Sequence, residues 1–223
     1  MTDADRPGAE RWVPSGGVDD LRSAAPQCRG CELWAPATQV VFSSGPEHAR
    51  MVLVGEQPGD REDLEGEPFV GPAGAVLSEA LAAAGIDPGQ VYLTNAVKHF
   101  RFEERGKQRL HKTPELAHIR ACSPWLAAEL KVVQPDVVVC LGATAGRAVL
   151  GRAVRVGAER GRLLEAPAGT SPSGAAGTAR VLLTTHPSAV LRLRGRPEYP
   201  EAFDLLVSDL EIAAAAMDDE PDQ

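Results

Sequence analysis

Four short apolar runs punctuate the chain, and stretches with helical spacing separate them. Residues 51–55 (MVLVG) read as a buried strand, and residues 73–84 as a helix with Gly85 just past its end. Residues 91–97 form a second strand. A helix then runs from about Pro114, with Thr113 as its cap, to about Gln134 before Pro135. Residues 136–142 (DVVVCLG) and 181–185 are the third and fourth strands, with helices over 143–150 and 198–216. Strands that are apolar throughout and alternate with helices need cover on both faces. The pattern therefore predicts an α/β fold, a three-layer α/β/α arrangement around a central, mainly parallel four-stranded sheet. Ligands in such folds bind beyond the carboxyl ends of the strands. That rule singles out residues 55–59, 95–98, 142–144 and 186–188, where polar and special residues collect.

Composition leaves this picture in place. The chain has 223 residues, 43% hydrophobic and 24% charged, which is globular and enough for one core. Residues 1–20 read as a disordered acidic tail, 21–210 as a single domain, and 211–223 as the end of the last helix with a second acidic tail. Residues 166–178, rich in Gly, Ser, Pro and Ala, read as a mobile loop. No apolar run reaches the roughly 20 residues of a membrane span. The first thirty residues lack the apolar stretch of a signal peptide, so a soluble, cytoplasmic protein is expected.

Charge changes the picture more. A net −8 argues at first against a nucleic-acid partner. Residues 1–20 carry −3 and 209–223 carry −6, however, which leaves the 188 residues between them at +1. Bases concentrate in 98–112 (Lys98, Arg101, Arg105, Lys107, Arg109 and Lys112) and in 180–196, which has four arginines and no acid. Charge alone allows either solvated loops or a phosphate-facing side.

The four cysteines are Cys28 and Cys31, a C-x2-C pair, then Cys122 in a helix and Cys140 in a strand. Without a secretion signal, disulfides are disfavoured. A zinc ribbon would supply a second close pair, which is absent. Two loop ligands plus two from core elements suit a cubane cluster better than zinc, and the spacing leaves both open. Around the strand ends, Gly55-Glu56-Gln57-Pro58-Gly59 makes a tight turn beside a carboxylate and an amide. Phe69 lies in a Gly/Pro-stiffened loop and is a candidate stacking platform, although a lone loop Phe more often plugs a small core. Asn95 can donate and accept at once, matching adjacent N–H and C=O groups on a pyrimidine edge. His186 closes the fourth strand in the same layer.

Taken together, C-x2-C, G-E-Q-P-G, P-F-V-G-P-A-G, T-N-A-V-K-H-F, the two later cysteines and H-P-S resemble the uracil-DNA glycosylase superfamily, its family-4-like branch, over about residues 28–210. Gln57 and the insert R-G-K-Q-R-L-H-K-T-P (105–114) look like the UdgX group within it. The resemblance implies a uracil-DNA glycosylase, a DNA-repair enzyme acting as a monomer on uracil in single- or double-stranded DNA. Cys28, Cys31, Cys122 and Cys140 would ligate a structural [4Fe-4S] cluster that ties down the N-terminal segment. Gln57, Phe69 and Asn95 would hold the extruded uracil. His186 would face uracil O2, and residues 188–192 would press into the DNA. Lys107, Arg109, Lys112, Ser188 and Arg192 would contact DNA. His111 would attack the sugar C1′ and stay bonded to it, with Glu56 beside it. The group's usual K-R-R-I-H reads Lys107-Gln108-Arg109-Leu110-His111 here, one positive charge fewer. Competing readings are a conventional family-4-type enzyme that releases a free abasic site, an electron-transfer or cluster-sensing protein, and a zinc-stabilised nucleotide-binding module.

Overall fold

A computed structural model describes residues 6–165 and 179–218 of the chain. The loop expected over 166–178 lies outside the described residues. In chain order the elements are α1 (Val18–Ala24), β1 (Ser43–Ser44), β2 (Met51–Gly55), α2 (Asp60–Glu65), α3 (Pro72–Ala83), β3 (Val91–Asn95), β4 (Phe102–Arg105) and β5 (Gln108–His111). They continue as α4 (Leu116–Val133), β6 (Val137–Leu141), α5 (Ala143–Leu150), α6 (Val156–Glu159), β7 (Leu163–Glu165), β8 (Arg180–Thr184), α7 (Pro187–Leu191) and α8 (Tyr199–Asp218).

The main sheet has the order β1-β3-β2-β6-β8-β7. The four apolar runs are its four central strands, and all three pairings among them are parallel. The expected count of four is corrected to six, because β1 and β7 add antiparallel edges. Strands of two and three residues carry no readable periodicity, and short edges discourage pairing with other chains. Alternation along β2 divides the core. Leu53 packs with Val76, Leu77, Leu206 and Leu210 of α3 and α8. Val52 and Val54 face Leu126, Leu130 and Val149 of α4 and α5. Three layers result, as the pattern requires.

Two other expectations shift. Helix α4 begins at Leu116 rather than Pro114, because Glu115, not Thr113, is its N-cap residue, and the Glu115 N–H donates to His118 Nδ1 at 2.9 Å. Order also begins well before residue 21. Ala9 is buried, Arg6 Nε donates to Glu32 at 2.7 Å, and the Val18 N–H donates to Glu47 at 2.9 Å. The average acidity of that stretch conceals a few apolar and paired residues that dock it beside Leu21, Leu33 and Trp125.

Along the central sheet the order reverses at β2, with β3 on one side and β6 on the other. The crevice beyond the carboxyl ends of β2 and β6 is the place where such a sheet offers room to a ligand. No helix among the described residues is long and apolar enough to cross a membrane.

Candidate active site

The floor of the crevice depends on a missing side chain. A Cβ on Gly55 would collide with Asn95 Oδ1 and come within 2.8 Å of Phe69 Cζ. Glycine there lets amide and ring close over the strand end. Phe69 is held in a left-handed backbone conformation, φ 59°, which is uncommon outside glycine. Its carbonyl packs so tightly on Gly74 of α3 that any Cβ at 74 would overlap it. Glu62 accepts from the Gly59 N–H at 3.1 Å and the Gly71 N–H at 2.8 Å, tying the turn after β2 to the Phe69 loop. The sequence reading passed over Glu62, although a helix-start carboxylate three residues after Gly59 was a signal. Asn95 is only 3% exposed, yet its amide makes no hydrogen bond among the described residues. Its amide atoms are not among the enclosed, unsatisfied ones, so they keep access to the crevice and offer a free donor and acceptor to a ligand there.

His186 follows β8 and seats its Cβ against the close approach allowed by Gly142, φ 93°. Its Nδ1 accepts from the Ser188 N–H at 3.1 Å and lies 2.9 Å from Ser188 Oγ. The single proton of the neutral ring therefore sits on Nε2. Burial, reinforced by the nearby His111 and Arg192, pushes its pKa down to about 4. The imidazole is then a neutral N–H donor at physiological pH. Ser188, expected at the DNA, instead orients this ring.

His111 is delivered from outside the main sheet. It ends β5, paired with Phe102 across a two-stranded hairpin, where the sequence reading saw only a basic loop. His111 Nε2 lies 3.4 Å from Glu56 Oε1, and the Thr144 hydroxyl donates to the other Glu56 oxygen. The residues expected to attack and to support the attack are thus brought together. Thr144, at the start of α5, had been placed near the site by the strand-end rule but was given no role.

Two of the residues expected to contact DNA or base are engaged within the chain. Gln57 has its side-chain amide bonded to the hairpin. Its Nε2 donates to the carbonyls of Arg101 (3.1 Å) and Lys112 (3.2 Å), and its Oε1 accepts from the Arg101 N–H at 3.1 Å. Its side chain clamps both ends of the hairpin. Arg109, expected on DNA, turns inward to Asp63 (2.6 Å), Asp60 (2.6 Å) and Thr38 (3.1 Å), because Asp63 is fully buried and needs a cation. Arg101 pairs with Glu115 at 2.6 Å, Lys112 with Glu103, and Lys98 is buried against Glu129. Of the six bases in 98–112, only Arg105 and Lys107 have no ion pair among the described residues. Arg192 is exposed.

The cysteines separate as well. Cys28, Cys31 and Cys122 line one narrow cavity, together with His99 and Trp125. Cys140 is absent from its walls and packs in the sheet core with Val54, Leu126 and Leu183. Its side chain points to the α4 and α5 side of a buried strand, in a different cluster from the other three thiols. His99, which the sequence reading missed, carried the signal of adjoining the strand-end motif. Two N–H groups aim at the sulfurs, from Trp125 Nε1 to Cys28 (3.3 Å) and from the Lys98 backbone to Cys122 (3.4 Å). Burial pushes the Cys31 thiol up to about 11 and the Cys122 thiol up to about 12. No group of three His, Cys, Asp or Glu side chains among the described residues converges closely enough to hold a single metal ion.

Comparison with known proteins gives the following. Residues 42–211 match the family model described as the uracil DNA glycosylase superfamily. The chain is 34% identical over 191 residues to a type-4 uracil-DNA glycosylase of Archaeoglobus fulgidus, covering 83% of this chain and 89% of that protein. It is 36% identical over 188 residues to a type-4 enzyme of Thermotoga maritima, with coverages of 84% and 88%. A type-5 uracil-DNA glycosylase of Pyrobaculum aerophilum is 33% identical over 144 residues, with coverages of 58% and 60%.

Proposed function

The chain belongs to the uracil DNA glycosylase superfamily, and from that premise we propose that it excises uracil from DNA in repair and retains the sugar on His111. The observation that carries excision is the Asn95 amide, free of protein partners among the described residues and open to the crevice beside Phe69, with a neutral Nε2 donor on His186 in the same strand-end layer. An extruded uracil offers adjacent N–H and C=O groups to the amide and a flat face to the ring. Cleavage of the N-glycosidic bond leaves negative charge on the base, and a preset N–H donor favours that charge as it develops. Because His186 is already neutral, it donates a hydrogen bond without becoming a like-charged neighbour of His111.

The bond electrons leave with the base and the sugar becomes cationic at C1′. Glu56 is the nearest carboxylate to His111 and gains most as that cation forms. It also attracts the proton of the ring nitrogen facing it, which leaves the lone pair of the other nitrogen to bond C1′. That proton passes toward Glu56 as the imidazole becomes alkylated, so charge is conserved. The clamps on the hairpin, Gln57 and Arg109, favour His111 over water.

A [4Fe-4S] cluster fits the donor chemistry of Cys28, Cys31 and Cys122, with His99 as fourth ligand in place of Cys140. Thiolates accept the two N–H groups aimed at the sulfurs far better than thiols do, and a cationic body would supply the charge that burial otherwise resists. Bound there, it would serve as a cross-link between the N-terminal segment and α4. The protein would act as a monomer in the cytoplasm, on single- or double-stranded DNA.

Uracil-containing oligonucleotide should give a band shift that survives SDS and heat, and His111→Ser should abolish the shift while freeing an abasic strand. Multiple turnovers by the unaltered protein with no stable adduct would instead establish the conventional reading, which the type-4 relatives favour.

A further inference from the structure

A cavity of about 460 Å³ opens beside the loop that carries Phe69, walled in part by Arg22, Arg29, Trp34, Gln39 and Glu67. Its size is that of a small-molecule site, and the excision chemistry uses none of these five side chains. Its walls differ in character from end to end. The Arg29 guanidinium lies 4.2 Å over the Trp34 ring, and Trp34 is 41% exposed, the surface of a stacking platform. Arg29 NH1 is fixed by the carbonyls of Pro26 (2.9 Å) and Cys28 (2.8 Å). Its remaining N–H groups have no hydrogen bond among the described residues. Arg22, held by Asp19 at 2.7 Å, adds a second cation.

Another part of the lining accepts hydrogen bonds. Gln39 spends its Nε2 on the carbonyls of Asp63 and Leu64, which presents Oε1 as a fixed acceptor. Glu67 stands nearby and would repel a bare anion at that end. Cations, an aromatic face and acceptors in one cavity suit a phosphate, a base and the amino groups of that base. A small inorganic anion would satisfy only the first.

The position also matters. Glu67 precedes Phe69 by two residues, at most about 7 Å of chain. Thr38, another wall residue, is the hydrogen-bond partner of Arg109 in the hairpin that carries His111. Two connections, one along the chain and one through the Thr38–Arg109 hydrogen bond, thus tie the cavity to the loop and hairpin that carry Phe69 and His111. We infer that it is a second nucleotide subsite, which takes a base and phosphate of the same DNA strand close to the extruded uracil. The inference rests on the uracil-DNA reading above.

The test uses the full-length protein and a single-stranded eleven-mer with a central, cleavage-resistant 2′-fluorinated deoxyuridine, followed by fluorescence anisotropy. A second eleven-mer replaces the flanking bases by abasic spacers and keeps every phosphate. The fully based strand should bind about 5- to 150-fold tighter, the range for stacking one base on an aromatic side chain. Trp34→Ala should erase that difference and leave binding of the spacer strand within about twofold. Arg29→Gln should reduce the slope of log affinity against log salt by about 0.7, one phosphate of a single strand. Unchanged visible absorbance and melting temperature exclude misfolding in either variant. The inference is overturned if Trp34→Ala retains the full discrimination between the two strands. It is also overturned if thymidine monophosphate alone saturates a Trp34-dependent fluorescence change while both strands bind alike, which would make the cavity a free-nucleotide site. Failure of the uracil reading is a separate outcome, seen when the unaltered protein binds the uracil strand no better than one with thymine.

Discussion

Replacing Gln57 by Ala separates a side chain that reads uracil from one that holds a hairpin. The structure gives Gln57 three hydrogen bonds, two to the carbonyls of Arg101 and Lys112 and one from the Arg101 N–H, at 3.1–3.2 Å. Each contributes about 0.5–1.5 kcal/mol net, so the clamp as a whole is worth about 1.5–4.5 kcal/mol. Arg109 remains anchored to Asp60 and Asp63, so the hairpin stays attached at its outer end and the low half of the range applies. A loss of about 2 kcal/mol lowers the equilibrium constant for docking His111 by about 30-fold, which is the ceiling on the loss of docked population. Uracil release and formation of the SDS-stable adduct are followed in one rapid-quench experiment. Adduct formation should slow by up to about 30-fold, uracil release by less than about threefold, and free abasic strand should accumulate. Gln57→Glu should behave similarly, since a carboxylate cannot donate to the two carbonyls. If both rates fall by the same factor, Gln57 acts on the base and the clamp argument is wrong. If neither changes, the hairpin does not depend on it.

Three further outcomes follow from the geometry. Cys140→Ser should leave the iron content and the absorbance at about 400 nm unchanged, whereas Cys122→Ser or His99→Ala should diminish both; equal loss in all three would restore the four-cysteine assignment. Glu129→Ala strands the buried Lys98 ammonium, a change that costs about 3–5 kcal/mol and lowers the melting temperature by roughly 6–20 °C, while an unchanged melt would mean that Lys98 finds another partner. His186 is held at about 4, below the ordinary histidine value of 6.5, so the unfolded chain binds the extra proton first. Its contribution to stability is therefore complete above pH 6.5 and lost as pH falls from 6.5 to 4. His186→Asn should reduce the slope of melting temperature against pH in that window, and an identical slope would refute the assignment.

Much of this site is legible in the sequence. Asn95, Phe69 and His186 stand out because strand-end residues in a parallel sheet share one layer, and glycine and proline mark the turns that aim them. The four apolar runs specified the central strands for a similar reason, since a strand buried on both faces admits almost no polar residue. The edge strands escaped because two or three residues carry no period. The hairpin escaped because half-exposed strands with charges on both faces look like a loop, and only the pairing of Phe102 with His111 and its neighbours makes them a sheet.

Burial and pairing of charge lay beyond sequence reading altogether. Lys98 looked like one base of a DNA-facing stretch, yet it is enclosed against Glu129, Thr94 and Phe42. Arg109 looked like a phosphate contact and serves Asp63. The tails do hold the net negative charge, but within 98–112 most of the positive charge is internally neutralised, so the salt dependence of the initial DNA encounter should be shallow. Cysteine spacing likewise pointed to a shared site without deciding its members. Three thiols reach one cavity and Cys140 does not, because a side chain's direction from a buried strand is fixed by the pleat and by which helix covers that face. The sequence alone determined the layers, which residues gather at the strand ends, and the family. Only tertiary packing decided which charges are spent inside, which amide stays free, and how His111 is brought to Glu56, because these depend on contacts between residues far apart in the chain.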